Sequence, residues 1–244
     1  MNRILIRQSE LDKTGRVVLC GRRANHILHT LKAVPGQPLR MGVISGPKGE
    51  GIVHKVTDDT VVMDCILDSG VPPPPAIDLL LALPRPKVMK RLWSPLAMMG
   101  LDQLVLTNAA KVERNYFDTH WLQPESYGPL MVLGLEQSGD TCLPRVSIRR
   151  RLKPFMEDEL DTMFPKSRRL CAHPAEGGLH GPPALKYGER VLLAVGPEGG
   201  WTDFELNLLQ EHGFELASIG GRTLRTDVAC ISVLAVINHL LGPK

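Results

Sequence analysis

Val191-Leu192-Leu193-Ala194-Val195-Gly196-Pro197-Glu198-Gly199-Gly200 decides the fold class of this 244-residue chain. The first five residues are apolar without alternation, as in a strand buried on both faces of a parallel sheet. The run then breaks into a glycine loop, where backbone can approach a ligand closely and present its N–H groups. Thr202-Asp203-Phe204-Glu205 follows with the spacing of a capping box, Thr202 as N-cap and Glu205 three positions on. The spacing predicts a helix to about His212, closed by Gly213. In open α/β sheets, ligands bind beside such loops, at the carboxyl ends of strands.

Working outward, a strand near Leu216–Ile219 leads into Gly220-Gly221-Arg222-Thr223-Leu224-Arg225-Thr226-Asp227. Thr226 or Asp227 is expected to cap a final helix over Val228–Leu240. That helix is apolar nearly all round, so it must be buried or form a subunit interface. Upstream, the apolar run Leu170–Ala172 ends in His173-Pro174, which makes a third loop. Further buried-strand runs lie at Ile77–Leu83 and Leu104–Leu106, with helical patterns between several of them. This alternation is the signature of a parallel α/β sheet covered on both faces.

The pattern changes at Val71-Pro72-Pro73-Pro74-Pro75, which favours an extended spacer. Before it, Arg16–Cys20, Leu39–Ile44, Gly51–Val56 and Val61–Leu67 read as strands between turn signals, with one helix over Arg22–Lys32. A small β-barrel with one helix is the expected closed form. The boundaries are residues 1–71 and 73–244. The net charge of +3 permits a nucleic-acid partner without implying one. Cys20, Cys65, Cys142, Cys171 and Cys230 are scattered and odd in number, which speaks against a zinc site or a disulfide framework and fits a cytoplasmic compartment. Met1–Glu10 lacks the apolar run of a signal peptide, and no stretch reads as a transmembrane helix.

Gly196-Pro197-Glu198-Gly199-Gly200, a helix, a strand and then Leu224-Arg225-Thr226-Asp227 closely resemble the C-terminal region of the SPOUT methyltransferases. Within that class they are similar to the 16S ribosomal RNA uridine-N3 methyltransferase family. Leu170-Cys171-Ala172-His173 looks like that family's first cofactor loop, and Glu136-Gln137-Ser138-Gly139 like its Glu-Gln-Ser/Cys stretch. The resemblance implies a PUA-like RNA-binding β-barrel over 1–71 and a SPOUT α/β domain with a deep trefoil knot over 73–244. It also implies S-adenosyl-L-methionine as cofactor, small-subunit ribosomal RNA as substrate, and a homodimer. By the same resemblance, Leu170, Ala172, His173, Gly196, Pro197, Glu198, Gly199, Ile219, Gly220, Leu224, Arg225 and Thr226 would hold the cofactor. Two places depart from the family pattern. Asp140 stands where an arginine is usual, and Ser94-Pro95-Leu96-Ala97-Met98-Met99-Gly100 replaces a Gln-Lys-Thr-Glu-Leu-Gly type of helix. A proline there is expected to kink or break the helix.

The chemistry of N3 methylation nominates the catalytic groups. The N3 proton must leave, and a fixed guanidinium favours the imide anion that forms. Arg225 is the candidate, with Asp227 orienting it or accepting a proton. Gly199 is expected to tolerate no branched side chain, which would enter the ligand's space or demand a forbidden backbone angle. Arg149 and Arg150, with Arg22, Arg23 and Lys32, are candidate RNA contacts, although a solvated charged face is the ordinary reason for such runs. Alternatives to the main reading are a SPOUT enzyme for another rRNA or tRNA position, or a non-catalytic RNA-binding protein that keeps the fold.

Overall fold

The strands expected before the prolines form, together with one more, a five-stranded sheet in the order β1-β3-β4-β5-β2. They are β1 (Ile4–Ile6), β2 (Arg16–Cys20), β3 (Pro38–Val43), β4 (Lys48–Val56) and β5 (Thr60–Leu67). β1 pairs in parallel with β3 and the other pairings are antiparallel. Among the described residues β1 and β2 do not pair, so the strands make an open sheet rather than the closed barrel that was expected. The helix α1 (Gly21–Asn25) continues as a π-helical stretch, His26–Leu31, which ends at Lys32 in a left-handed conformation (φ 49°). Its Ala24 and Ile27 are fully buried with Ile6, Leu19, Met41 and Met63.

The computed structural model describes residues 3–174 and 185–242. The chain divides into two units, Met1–Pro74 with Val132–Leu143, and Pro75–Met131 with Pro144–Lys244. The return of residues 132–143 to the first unit has no signal in the sequence. There the buried Glu136 accepts two hydrogen bonds from Arg22, at 2.8 and 2.9 Å, and the buried Thr141 hydroxyl donates to Gly46 O at 2.8 Å. Asp140 pairs with Lys48 at 3.0 Å.

The second unit is built on a six-stranded, fully parallel sheet in the order β11-β9-β10-β6-β7-β8. Its strands are β6 (Ile77–Ala82), β7 (Gln103–Thr107), β8 (Arg145–Arg149), β9 (Arg168–Ala172), β10 (Val191–Val195) and β11 (Glu215–Ala217). All of β10 is buried, as its unbroken apolar composition requires. The helices of this unit include α2 (Pro86–Met98), α6 (Asp203–Glu211) and α7 (Thr226–Leu241), with α3 (Pro124–Ser138), α4 (Leu152–Pro154) and α5 (Leu160–Met163) between them. Beyond Met131, α3 belongs to the first unit.

Register matters most for function. Ala172 of β9 is level with both Val195 of β10 and Ala217 of β11. The three loops that follow these strands therefore start side by side, at one edge of the sheet.

Two local expectations are corrected. Pro95 does not break its helix: α2 runs through it to Met98, because a proline so near the end removes only one of the last intrahelical bonds. The final helix starts at Thr226, with Arg225 in the N-cap position and no side-chain cap; Asp227 Oδ1 accepts instead from the N–H of Val228 at 3.1 Å. At the opposite edge of the sheet, Asp78 is fully buried and receives Arg190 Nε and Nη2, each at 2.9 Å. Arg190 also pairs with Asp102.

Candidate cofactor site

The capping box forms as the spacing predicts. Thr202 Oγ1 accepts from the N–H of Glu205 at 3.3 Å, and Glu205 Oε2 accepts from the N–H of Thr202 at 2.8 Å. It fixes where the glycine loop turns into α6. Within the loop, the N–H of Gly200 donates to Pro197 O at 2.8 Å, and Gly200 takes φ 69°, a value that favours glycine. At Gly196 the requirement is space: an added Cβ would lie 3.1 Å from Nε1 of Trp201, whose ring is buried against it.

The loops after β9, β10 and β11, joined by the start of α7, enclose a cavity of about 320 Å³. Of the residues named from sequence, Ala172, His173, Gly196, Pro197, Glu198, Gly199, Ile219, Gly220, Leu224 and Thr226 line it. Thr226 is buried, with its hydroxyl 3.5 Å from Gly196 O, so the first turn of α7 meets the glycine loop. Leu170 does not reach the cavity; it is fully buried in the middle of β9. Arg225 is outside the lining as well. Its side chain is 75% exposed, and it donates to Asp227 at 3.1 Å. Asp227 accepts in addition from Arg91 at 3.0 Å. Burial opposes ionisation of Asp227, but the hydrogen bond from Arg91 and the charge of Arg225 outweigh it and hold the carboxyl below its usual range.

The reason given for Gly199 changes. An added Cβ there would point not into the cavity but at Lys111, 2.8 Å from its Cδ, and φ at this position is not positive. Lys111 Nζ donates to Gly199 O at 2.8 Å, so the glycine makes room for a lysine that braces the loop. Glu198 Oε1 accepts from the N–H of Arg85 at 3.1 Å, a second brace.

The sequence model of the RNA methyltransferase domain family matches residues 72–238. The chain belongs to that family. Its relatives include the ribosomal RNA small subunit methyltransferase E of Treponema pallidum, 28% identical over 249 residues, 97% of this chain and 90% of that protein. A second is ribosomal RNA small subunit methyltransferase E 1 of Borreliella burgdorferi, 26% identical and covering 95% of both chains. Among solved structures, ribosomal RNA small subunit methyltransferase E from Neisseria gonorrhoeae, bound to S-adenosyl methionine, superposes with a TM-score of 0.74 at 19% identity, over 98% of each chain.

In this RNA methyltransferase family member, the sequence reading missed Trp201 and Ser218, which line the cavity, while Arg222 and Thr223 line it from within the expected Ile219–Thr226 loop. Trp201 could have been found as the aromatic residue directly after the glycine loop. Ser218 makes a tight turn, accepting from Gly220 N–H at 3.3 Å and donating to Gly220 O at 3.0 Å, and its tripeptide carries no distinguishing pattern. The RNA candidates divide between the units, Arg22, Arg23 and Lys32 in the first and Arg149 and Arg150 in the second. Arg22 pairs with Glu136, Arg23 with Glu10 at 2.5 Å, and Arg149 with Glu159 at 2.6 Å. Lys32 is exposed in the first unit, and Arg150 lies over the ring of Phe117, 5.3 Å from its centroid. Among the described residues no helix is long and apolar enough to cross a membrane, and no cluster of three or more His, Cys, Asp or Glu could hold a metal ion.

Proposed function

We propose that this chain transfers a methyl group from S-adenosyl-L-methionine to N3 of a uridine in small-subunit (16S) ribosomal RNA. The observation that carries the reading is the convergence of three in-register loops on one glycine-lined cavity, at the carboxyl edge of a parallel sheet. Small-subunit rRNA methyltransferases that align with nearly the whole chain support it.

The cavity suits an adenosine-sized ligand with one flat and one polar face. Its walls are largely apolar (Val195, Ala217, Ile219, Leu224), and the glycine loop leaves backbone groups at its surface. Ala172, Gly196–Gly200, Ile219, Gly220, Arg222–Leu224 and Thr226 would hold the cofactor, which when bound supplies an electrophilic methyl group on sulfonium. His173 lines the same wall. The protein's own contribution is positioning and charge. The uracil must be held with N3 in line with the methyl carbon. As N3 loses its proton to solvent water, a guanidinium beside it stabilises the anion. Arg225 takes this role, and Asp227, itself fixed by Arg91, orients it. An ionised carboxylate with a lowered pKa is a poor proton acceptor, so orientation is the role assigned to Asp227.

The first unit is a PUA-like RNA-binding module, the second unit has the deep trefoil knot of the SPOUT class, and the enzyme works in the cytoplasm as a homodimer. The test is transfer of labelled methyl to small-subunit rRNA in a single turnover, with RNA in excess. Arg225→Ala should slow it by roughly a hundredfold while cofactor affinity holds, as for loss of one preorganised donor. A variant that methylates at the parent rate removes Arg225 from the chemistry.

A further inference from the structure

A second cavity, of about 350 Å³, lies at the carboxyl ends of β7 and β8, and the methyl-transfer scheme makes no use of it. Thr107 of β7 and Arg149 of β8 are level in the sheet, so the segments after them begin side by side. They contribute Asn108 and Ala110 from one segment and Arg150 and Arg151 from the other; Arg114 and Glu205 complete the polar wall. Arg114, Arg150 and Arg151 are exposed. Among the described residues no carboxylate pairs with any of the three, whereas their neighbour Arg149 is neutralised by Glu159 at 2.6 Å. Glu205 does not serve them either. Its oxygens accept from Ala110 N–H at 2.7 Å and from the N–H and hydroxyl of Thr202 at 2.8 and 2.9 Å. Asn108 Oδ1 is buried in the same wall and has no hydrogen-bond partner. A buried acceptor without a donor is costly and rare in a native fold.

Guanidinium groups around a cavity that no carboxylate neutralises, with Arg150 donating only to Phe117 O at 3.5 Å, call for an oxyanion, and the orphaned amide oxygen calls for an N–H or O–H beside it. A ribonucleotide backbone offers both, as a phosphodiester and a 2′-hydroxyl. The first cavity centres on β9, and the sheet order places β7 three strands and β8 four strands from it. At about 4.8 Å per strand, the two cavities lie on the same sheet edge roughly 14–19 Å apart. Two or three nucleotides of single strand can bridge that distance. We propose that this cavity is an RNA backbone subsite: Arg114, Arg150 and Arg151 grip a phosphate near the target nucleotide, and Asn108, whose Oδ1 is closed to water in the free chain, turns its amide toward the cavity to accept from an adjacent 2′-hydroxyl. The proposal rests on the reading of the first cavity as the methyl-donor site.

The test uses the full-length protein and a fluorescein-labelled, uridine-containing RNA 12-mer, with the DNA of the same sequence beside it. Arg114→Gln/Arg151→Gln should weaken RNA binding by roughly tenfold and lower the salt slope of log Kd by about 0.7 for each phosphate no longer neutralised. S-adenosylmethionine affinity should stay at the parent value. Asn108→Ala should weaken RNA but not DNA, narrowing the preference between them. Inorganic phosphate titrated alone should bind weakly, in the millimolar range or worse; tight binding would assign the cavity to a free anion and overturn the proposal. Parent-like RNA affinity and salt slope in the double variant would also overturn it. Failure of the underlying reading shows separately, as a parent protein that methylates no RNA.

Discussion

Glu205→Gln is the sharpest test of how the cofactor edge is held together. Glu205 is only 5% exposed, and each of its carboxylate oxygens accepts from a backbone N–H: Oε1 from Ala110 at 2.7 Å, Oε2 from Thr202 at 2.8 Å. Glutamine has the same shape but only one acceptor oxygen. Turned one way, its NH2 faces the N–H of Ala110; turned the other, it faces the N–H of Thr202 but can donate to the Thr202 hydroxyl, so one bond to a backbone N–H is lost either way. A hydrogen bond to a charged acceptor contributes about 1.5–3 kcal/mol, and a donor left unsatisfied costs about 1–3 kcal/mol. Because Ala110 and Thr202 are partly open to water, the lower half applies, and we expect a loss of about 2–4 kcal/mol. At about 2–4 °C per kcal/mol for a chain of this size, Tm should fall by roughly 5–15 °C. Trp93, Trp121 and Trp201 all belong to the second unit, so urea unfolding followed by tryptophan fluorescence reports on the right part of the chain. S-adenosylmethionine should bind more weakly as well, since the capping box sets the exit of the glycine loop. A variant within about 0.5 kcal/mol of the parent, the ordinary scatter of surface substitutions, would show that Glu205 does not hold the two segments together.

Further outcomes follow from the same geometry. Gly199→Ala should weaken cofactor binding by displacing Lys111, and Lys111→Ala in the same chain should restore part of the loss; no recovery in calorimetric titration would mean that the glycine serves the ligand directly. The folded pKa of Asp227 is lowered, so any stability it contributes is present at neutral pH and is lost only as pH falls through that lowered value. Asp227→Asn should therefore scale the single-turnover rate by one factor at every pH between about 6 and 9, and a changed slope in that range would reveal a titrating base. Arg190→Leu leaves Asp78 buried with only the N–H of Gln103, at 3.1 Å, and should cost about 3–5 kcal/mol in urea unfolding. Asp78→Leu in the same background should recover much of that loss, and a double variant as unstable as the single one would argue against an orphaned charge.

What the sequence made legible was whatever local chemistry dictates. The β10 run, the glycine loop and the Thr202/Glu205 box have fixed spacings with a single structural outcome, and they lie where they were expected. β1 escaped notice because Ile4–Ile6 is too short to show a period. β8 escaped because Arg145–Arg149 is a half-exposed edge strand with arginine at both ends, which reads as a charged surface run. The Asp78–Arg190 pair joins residues 112 apart, a separation no pattern encodes. The same holds for residues 132–143, whose Glu136 and Thr141 find partners only once the chain has folded back. At the site, the lining glycines were legible, but the direction of a Cβ at Gly199 and the exposed position of Arg225 depend on how α7 begins, which three-dimensional packing sets.

The identity of the methylated nucleoside decides whether this chain makes 3-methyluridine. Small-subunit rRNA from cells lacking this protein, incubated with the purified chain and trideuteromethyl-labelled S-adenosylmethionine, should be digested to nucleosides and separated by mass spectrometry. Label should appear in 3-methyluridine and be absent when the chain is omitted. Label in any other nucleoside, or none from a protein that binds the cofactor, would contradict that function.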